Sequence, residues 1–297
     1  MMQPIRVFIA STPAEWLPAR VLEFSIRETT QAAVEVAQLH TFDRPIRTPA
    51  ELKNRPRTPF SFQRFLIPEL CGQRGQAIYL DADMQVFRDI LELWSFPMQG
   101  CDLQTVAEGG KGRRGQFSVM VLDCAALGWD IDAIVASLDR GELNYEQLMY
   151  EMRVAHRVGR DIPPEWNSLE HYEAGCTALV HYTDMNTQPW VSRDNPLEPV
   201  WVNCLMRAVK AGFISMDELR REARAGHIRP SLIVQLERGI ASSRELGREA
   251  GQLDSDYAAP YKALKSGSAS PWTSPGAFVK AALRKIARGL RIQHWFN

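Results

Sequence analysis

Apolar runs that alternate with segments of helical spacing predict a strand–helix–strand beginning for this chain. Residues 5–10 are almost continuously apolar, which predicts a buried strand. Thr12 and Glu15 have the spacing of a capping box and Pro13 occupies the first helical position, so a helix begins there. Residues 34–39 predict a second strand. This β-α-β order favours an α/β sheet.

The same alternation continues through the middle of the chain. Helical spacing is predicted over 60–71, and 130–160 and 196–250 are expected to be mainly helical. Further strands are predicted in four segments: residues 77–80, 103–107, 117–122 and 178–182. We therefore expect one main domain over residues 1–264.

A Ser/Pro/Gly-rich stretch and a basic segment follow that domain. Residues 265–275 are predicted to be a linker. Residues 276–297 have apolar positions on one narrow face and Lys and Arg around it, which predicts an amphipathic helix. Such a helix can bind an anionic membrane surface, or it can pack on the protein itself.

Composition narrows the class of protein. The chain has 297 residues, 45% of them hydrophobic, and Lys+Arg and Asp+Glu both number 35, so nothing favours nucleic acid as a partner. The five cysteines form no CxxC pair, which argues against a disulfide framework and a zinc knuckle. No apolar run approaches the roughly 18 residues of a membrane span. We expect a cytoplasmic protein, with peripheral contact to the inner face of the membrane through 276–297.

Two acids close the apolar strand AIYLDADM. Asp81 and Asp83 are two residues apart, so in an extended chain their side chains project to the same side and suit a divalent cation. The alternative is that they cap a turn. The D-x-D pattern recurs at Asp130 and at Asp254, but Asp130 precedes a helical pattern and is interpreted as its N-cap. Ligands collect at the carboxyl ends of strands in α/β sheets, which favours the first pair.

Two motifs in the same order resemble the family eight glycosyltransferases. Residues 62–93 contain an embedded arginine, the AIYLDADM strand and a Leu-Trp helix end, and residues 181–190, HYTDMNTQPW, are similar to the family's closing motif of His, Lys, Pro and Trp. Glycogenin and bacterial lipo-oligosaccharide galactosyltransferases are members. The resemblance covers residues 5–190 and implies a divergent bacterial-type branch with the GT-A fold, a Rossmann-like nucleotide-diphospho-sugar transferase fold with a mixed central sheet and a helical C-terminal region.

The resemblance also implies a metal site. Asp81, Asp83 and His181 would bind Mn²⁺, or Mg²⁺, together with diphosphate oxygens of a nucleotide-sugar donor. Hard carboxylates and an imidazole suit either ion. A strand-end histidine that only satisfies its own hydrogen bonds is the alternative for His181.

Donor-binding positions follow from the resemblance as well. Ala10, Ser11 and Thr12 occupy the place where the family holds the base and ribose, although Thr12 also fits the helix cap. The other implied donor contacts are Arg64, Asp81, Ala82, Gln116, Phe117 and Gln188. The bulky Phe117 is expected to narrow the donor pocket. Gln188 stands where the family has a lysine, and Arg193 or the cations of residues 111–114 could substitute for that phosphate contact.

Catalytic residues are implied in the segment YEQLM. Gln147 would lie beneath the reacting sugar and Glu146 would bind its hydroxyls, whereas a commonplace mid-helix pair is the alternative. The predicted function is metal-dependent, retaining transfer of a hexose from a UDP-sugar to a saccharide or lipid-linked acceptor, as in lipopolysaccharide biosynthesis. The alternatives are a non-catalytic nucleotide-sugar or glycan-binding module and a sugar-phosphate nucleotidyltransferase.

Overall fold

The structure is a computed structural model that describes residues 4–107, 115 and 117–260. The chain divides into two compact units, Met1–Tyr257 and Ala258–Asn297. The sheets, helices and cleft below belong to the first unit. The predicted linker 265–275 and tail helix 276–297, with Gln116 and the cations at 111–114, lie outside the described residues. The predicted domain boundary at residue 264 stays a prediction.

A six-stranded mixed sheet forms the centre of the first unit. Its strands, in spatial order, are β2 (Val34–Gln38), β1 (Ile5–Ala10), β3 (Gln76–Asp81), β6 (Val119–Asp123), β5 (Leu103–Val106) and β7 (Val158–Ile162). β1 is parallel to both β2 and β3, whereas β6 is antiparallel to β3 and β5. The predicted α/β fold with a mixed central sheet is therefore confirmed.

The continuous apolar runs are explained by burial of both sheet faces. Along β1, Phe8 and Ala10 pack in one core and Val7 and Ile9 in the other. Successive side chains of a strand point to opposite faces, so a strand covered on both sides has no polar positions to alternate. Because β1 and β3 are parallel and Ala10 lies opposite Asp81, both strands end at the same carboxyl edge of the sheet.

A second, three-stranded sheet begins directly after β3. It consists of β4 (Met84–Val86), β9 (Leu179–His181) and β8 (Ser168–Leu169). β4 and β9 are antiparallel with Met84 opposite His181, and β8 is parallel to β9. This sheet brings the chain near residue 181 back to the end of β3.

Helices cover the sheets and build the C-terminal half of the unit. The helices that precede β9 in the chain are α1 (Trp16–Thr29), α2 (Ile67–Leu70), α3 (Ile90–Trp94), α4 (Cys124–Leu127), α5 (Ile131–Asp139) and α6 (Tyr145–Met149). Those after it are α7 (Glu198–Lys210), α8 (Met216–Ala225), α9 (Ser231–Arg238) and α10 (Arg248–Leu253). Leu17 and Val21 of α1 share a core with Trp190 and Trp201, which joins the C-terminal helices to the first half of the unit.

Two predicted elements differ from the structure. The helix expected over 60–71 is a 3₁₀ turn at Gln63–Leu66 followed by the short α2. Pro68 lacks an N–H and its ring would clash with the carbonyl four residues earlier, so one continuous α-helix cannot form. The helical region expected over 130–160 ends before β7, which pairs with β5 instead.

Two other local predictions are confirmed. The capping box between Thr12 and Glu15 is present, and Asp130 is the N-cap of α5 with its side chain accepting two backbone N–H groups. Among the described residues, no helix combines the length and apolar character required to cross a bilayer.

Candidate active site

An open cleft lies at the carboxyl ends of β1 and β3, where the two sheets meet. Its walls combine acids, two arginines, hydroxyl groups and aromatic rings. The lining residues are Glu15, Arg57, Thr58, Phe60, Ser61, Arg64, Asp81, Asp83, Ser118, Tyr145, Met149, Tyr150, His181, Thr183, Met185 and Gln188. Such edges of α/β sheets are where ligands bind in this class of fold.

Local strand geometry and the second sheet together bring three side chains of metal-ligating types into one cluster. Asp81 ends β3, Asp83 immediately precedes β4, and His181 ends β9. The β4–β9 pairing continues past its last register pair, because the Tyr182 N–H donates to the Asp83 carbonyl at 2.8 Å. This backbone contact brings His181 to the acid pair.

The three side chains offer a ligand set for a hard divalent cation. One ligand atom from each of Asp81, Asp83 and His181 lies within 4.8 Å of the other two. Two carboxylate oxygens and an imidazole nitrogen suit Mn²⁺ or Mg²⁺, both of which accept additional oxygens from a ligand. The cluster predicted from the sequence is therefore assembled by the fold.

The hydrogen bonds of His181 leave the correct nitrogen for a cation. Nδ1 lies 3.0 Å from the Asn167 side-chain oxygen, which can only accept, so Nδ1 carries the proton. Nε2 lies 3.1 Å from Asp83 Oδ1, and in the neutral imidazole it is an acceptor. Two acceptors this close require a positive charge between or upon them, supplied by a proton or by a metal ion. A partner on the other ring nitrogen is typical of metal-binding histidines.

Asp81 is buried and held from two sides. The Tyr79 hydroxyl donates to its Oδ1 at 2.5 Å, and the Arg64 guanidinium lies 3.8 Å from the same oxygen. Burial raises the pKa of the Asp81 carboxyl above its usual range and the neighbouring Asp83 raises it further, while Arg64 offsets part of this rise. Burial also raises the pKa of Tyr79 well above its usual range, so this residue stays a neutral donor.

Gln188 contacts Asp83 within the protein. Its Nε2 donates to Asp83 Oδ2 at 3.0 Å and to the Tyr182 carbonyl at 2.9 Å. The amide therefore orients the carboxylate, whose Oδ1 faces His181. Arg193, considered from the sequence as a substitute phosphate contact, instead pairs with Asp254 at 3.2 Å and does not line the cleft.

Glu15 is a third acid of the cleft that sequence reasoning used only as a helix cap. Its Oε2 accepts from the Thr12 N–H and the Thr12 hydroxyl, both at 2.9 Å. Burial raises the pKa of Glu15 to about 8, and the charges of Asp83 and Asp81 contribute to this rise. Without a cation, Glu15 is consequently mostly protonated at neutral pH. The signal in the sequence was its place just beyond the end of β1.

The residues predicted to hold the base and ribose lie beneath the cleft surface. Ala10, Ser11 and Thr12 are buried and are not among its lining residues. The Gln63 side chain bonds both backbone groups of Ser11, at 3.2 and 3.0 Å, and the Ser11 hydroxyl lies 2.8 Å from His40 Nδ1. The structure thus binds the polar groups of Ser11 to other parts of the protein.

Three further predicted donor contacts are placed in different ways. Ala82 is buried in the core. Phe117 is also buried in a core, so it does not narrow the cleft as expected, and Ser118 lines the wall instead. Arg64 lines the cleft, but it donates to the Ser61 and Phe117 carbonyls at 3.1 and 3.0 Å, in addition to its contact with Asp81.

Glu146 and Gln147 are not brought to the cleft. Gln147 Oε1 accepts from the Asn144 N–H at 3.0 Å and thereby completes the capping box that begins α6, while Glu146 is exposed. The same helix instead contributes Tyr145 and Met149 to the lining. The catalytic assignment of Glu146 and Gln147 stays a prediction, without support from their positions.

The mixed sheet, the acids that end β3 and the histidine of β9 define a GT-A glycosyltransferase fold. Residues 22–125 match the family model "Glycosyl transferase family 8", so the resemblance to that family is confirmed. The match includes Asp81 and Asp83 but ends before His181.

The comparisons with individual proteins agree with this result. The glycosyltransferase GlyE of Streptococcus pneumoniae superposes with a TM-score of 0.50 at 16% identity, over 68% of this chain and 60% of that one. The bifunctional glycosyltransferase WbbM superposes with a TM-score of 0.50 at 13% identity, over 69% and 50%. Protein CDI of Arabidopsis thaliana is 33% identical over 95 residues, so the match spans 31% of this chain and about a third, 36%, of that curated relative. Together these findings show that the chain shares the fold of these glycosyltransferases.

Proposed function

We propose that this protein is a metal-dependent, retaining glycosyltransferase that moves a hexose from a UDP-sugar to a saccharide or lipid-linked acceptor. The observation that carries the proposal is the cluster of Asp81, Asp83 and His181 at the edge of an open cleft. The family match supplies the reaction class, whereas the ligand set favours a donor that carries metal-binding phosphate oxygens.

The residues of the cluster would hold a divalent cation, with Mn²⁺ the first candidate. Such an ion, when bound, supplies Lewis-acid stabilisation of the charge that develops on the leaving nucleoside diphosphate. Gln188 fixes the orientation of Asp83, and Asn167 holds His181 with its Nε2 lone pair directed toward the site. Tyr79 and Arg64 hold Asp81, so none of the three ligands depends on the substrate for its position.

Transfer with retention of the anomeric configuration can proceed by attack of the acceptor on the face from which the leaving group departs. In the described part of the chain, the acids lining the cleft are Asp81, Asp83 and Glu15. The first two are metal ligands in this proposal, and one oxygen of Glu15 already accepts two hydrogen bonds from Thr12. A covalent intermediate on a carboxylate is therefore not favoured by these positions.

A non-catalytic nucleotide-sugar-binding module is the second candidate. It is favoured by the positions of Glu146 and Gln147, which lie outside the cleft that contains the metal cluster. Such a module would bind UDP with metal but would release no UDP from any UDP-sugar.

The experiment that tests the proposal measures UDP release from a panel of UDP-sugars, with Mn²⁺ and then with EDTA, in the presence and absence of simple saccharide acceptors. We expect metal-dependent release from one sugar. Asp83→Asn should lower that release roughly 10³-fold or more, because the lost Lewis-acid effect is worth several kcal/mol. Asp132→Asn, in the D-x-D pair at the start of α5, is the matched control and should leave release unchanged.

Each outcome separates the candidates. UDP binding without release from any sugar, with acceptors present, would support the binding module. Equal release in Mn²⁺ and EDTA would contradict the metal-dependent mechanism. Release by Asp83→Asn at the wild-type rate would show that the cluster is not the active site.

Contact with a membrane surface is a separate proposal, carried by the basic residues of 276–297. Deletion of these residues should weaken sedimentation of the protein with anionic phospholipid vesicles and leave UDP release unchanged. Equal sedimentation of the truncated and full-length proteins would contradict this proposal, and with it the expected position at the inner face of the membrane.

A further inference from the structure

Arg57 is a cation of the cleft wall that the metal cluster does not use. It is exposed and lies in the segment before the 3₁₀ turn, among the residues that line the cleft. Its guanidinium carbon lies 4.7 Å from the centroid of the Tyr145 ring and 5.6 Å from that of Tyr150, and its Nη1 donates to the Tyr150 hydroxyl at 2.9 Å. Two aromatic side chains therefore hold it in place.

The way Arg57 is held differs from that of other exposed arginines. Several exposed arginines pair with a carboxylate instead, as the examples Arg140, Arg153, Arg220 and Arg238 illustrate. Within the described parts of the chain, no carboxylate lies within ion-pair distance of the Arg57 guanidinium. Its positive charge is thus positioned by rings and a hydroxyl, and is not balanced by an acid there.

Tyr145 does not supply the missing negative charge. Burial raises the pKa of Tyr145, so its phenol is neutral throughout the physiological range. A guanidinium held against aromatic faces keeps its planar N–H groups available in its own plane and loses less freedom when it binds a planar or tetrahedral anion. The arrangement favours binding of an anion, because the Arg57 side chain is already ordered in the free protein and loses little conformational entropy on binding.

The other arginine that lines the cleft is already engaged. Arg64 is buried and contacts Asp81 together with two backbone carbonyls. Asp81, Asp83 and Glu15 line the same cleft, so it combines acids that suit a cation with a preoriented arginine. A ligand that carries several anionic oxygens complements this combination. Some of its oxygens can bind the cation held by the acids, and others can accept hydrogen bonds from the arginine.

We propose that Arg57 binds anionic oxygens of the substrate at the rim of the cleft, either the diphosphate of the donor or an acidic group of the acceptor. This inference rests on the proposed function for the identity of the ligand. Its chemistry, a phosphate or carboxylate on a ring-held guanidinium, rests on the structure alone.

The test compares Arg57→Gln with wild type by calorimetry in the presence of Mn²⁺, with UDP and uridine as probes. If the donor is the source of the anion, the variant should bind UDP about 10- to 100-fold more weakly and uridine equally well, because a charge-assisted hydrogen-bond pair is lost. If the acceptor is the source, UDP binding is unchanged, and glucose 6-phosphate added to protein saturated with UDP should bind at least about 10-fold more weakly.

Two further variants serve as controls for this test. Arg55→Gln is the matched control, since Arg55 is also exposed but donates to the Pro49 and Ala50 carbonyls and does not line the cleft. It should bind both probes as wild type does. Arg57→Lys retains the charge without the planar fork and should bind with intermediate affinity.

The inference fails if Arg57→Gln binds both UDP and glucose 6-phosphate as wild type does, or if wild type binds neither. These failures differ from failure of the proposed function. Wild type that binds UDP but never releases it from a UDP-sugar would refute the transferase proposal, while an affinity loss confined to Arg57→Gln would still support the anion site.

Discussion

The cluster around Asp83 and the cluster around Arg229 both bury ionisable side chains, but they differ in how their charges are balanced. Arg229 donates to Glu198 Oε1 at 2.6 Å, to the Ser231 hydroxyl at 2.7 Å and to the Pro189 carbonyl at 3.0 Å. Glu198 Oε2 accepts two further hydrogen bonds from Ser243, both at 3.0 Å. Each charge and each donor of this pair has a partner inside the protein.

The Asp83 cluster is not balanced in this way. Of its three acids, Asp81 contacts the buried Arg64, and the pKa values of Asp81 and Glu15 are raised first by burial and further by the charges of neighbouring acids. A closed network of partners stabilises a fold, whereas an excess of one charge is stable only with a bound cation or proton. The contrast separates a cluster that stabilises the fold from one whose charges favour a bound cation, and the Arg229–Glu198 pair is also more deeply buried than Asp83.

Breaking the balanced cluster should give the largest effect on stability. In Arg229→Met, Glu198 is left as an uncompensated buried charge, so we expect the free energy of unfolding to fall by about 3–5 kcal/mol. Urea denaturation of the metal-free protein measures this. The control Arg238→Met removes an exposed pair with Glu249 and should change stability by no more than about 0.5 kcal/mol. A loss below about 1 kcal/mol for Arg229→Met would show that the network is not structurally important.

Weakening the support of a metal ligand should have an intermediate effect, on metal affinity. Asn167→Leu removes the acceptor for His181 Nδ1–H, so Mn²⁺ affinity measured by calorimetry should fall about 10- to 100-fold. Asn167→Asp retains an acceptor oxygen and should restore affinity to the wild-type value or above it. Equal affinities in all three proteins would mean that the Asn167 contact does not orient the imidazole.

Neutralising Glu15 should produce a smaller and pH-dependent effect. Its pKa is raised in the folded state, so the unfolded chain ionises first and the stability of wild type falls as pH rises from about 4.5 to about 8. Glu15→Gln keeps an oxygen that can accept from Thr12 and removes this cost. The variant should therefore gain stability over wild type progressively across that range, with the largest difference near pH 8.

Mn²⁺ provides the control for this pH effect. A cation on Asp81 and Asp83 offsets the two charges that help to raise the pKa of Glu15, so the difference between Glu15→Gln and wild type should shrink when the ion is bound. A stability difference that does not vary with pH would contradict the assignment of a protonated Glu15.

The smallest effect is expected for Asp83→Asn in the metal-free protein. Asparagine can accept from Gln188 through its oxygen and donate to His181 Nε2 through its amide, so both contacts of Asp83 are retained without its charge. Stability in EDTA should be unchanged or higher by up to about 1 kcal/mol. A loss of 3 kcal/mol or more would mean that the Asp83 cluster is as self-contained as the Arg229 cluster.

The local features of the site were predictable because they depend on short-range geometry. The period of two along a strand places Asp81 and Asp83 on one side, and the capping box fixes the helix start after β1. The residues of the segment 60–71 were harder to assign, since the apolar spacing there fits a helix and only Pro68 and the packing of Arg64 decide otherwise.

The contacts of the cleft that were missed have no local signature. Arg57 lies in a loop, and only the packing of α6 against that loop brings Tyr145 and Tyr150 to its guanidinium. Asn167 meets His181 because β8 pairs with β9. Glu146 and Gln147 looked suitable by residue type, but the capping geometry at the start of α6 turns Gln147 to the backbone of Asn144.

The sequence by itself determined the β-α-β beginning, the order of strands β1, β2, β3, β5, β6 and β9, their continuous apolar runs and the acid pair that ends β3. These follow from hydrophobic periodicity and from capping, which act over a few residues. The tertiary structure alone decided that Ser11 and Phe117 are buried, that Glu15 faces the acid pair and that Arg57 reaches the cleft. Those outcomes depend on strand pairing and on the desolvation of charges, which involve residues far apart in the chain.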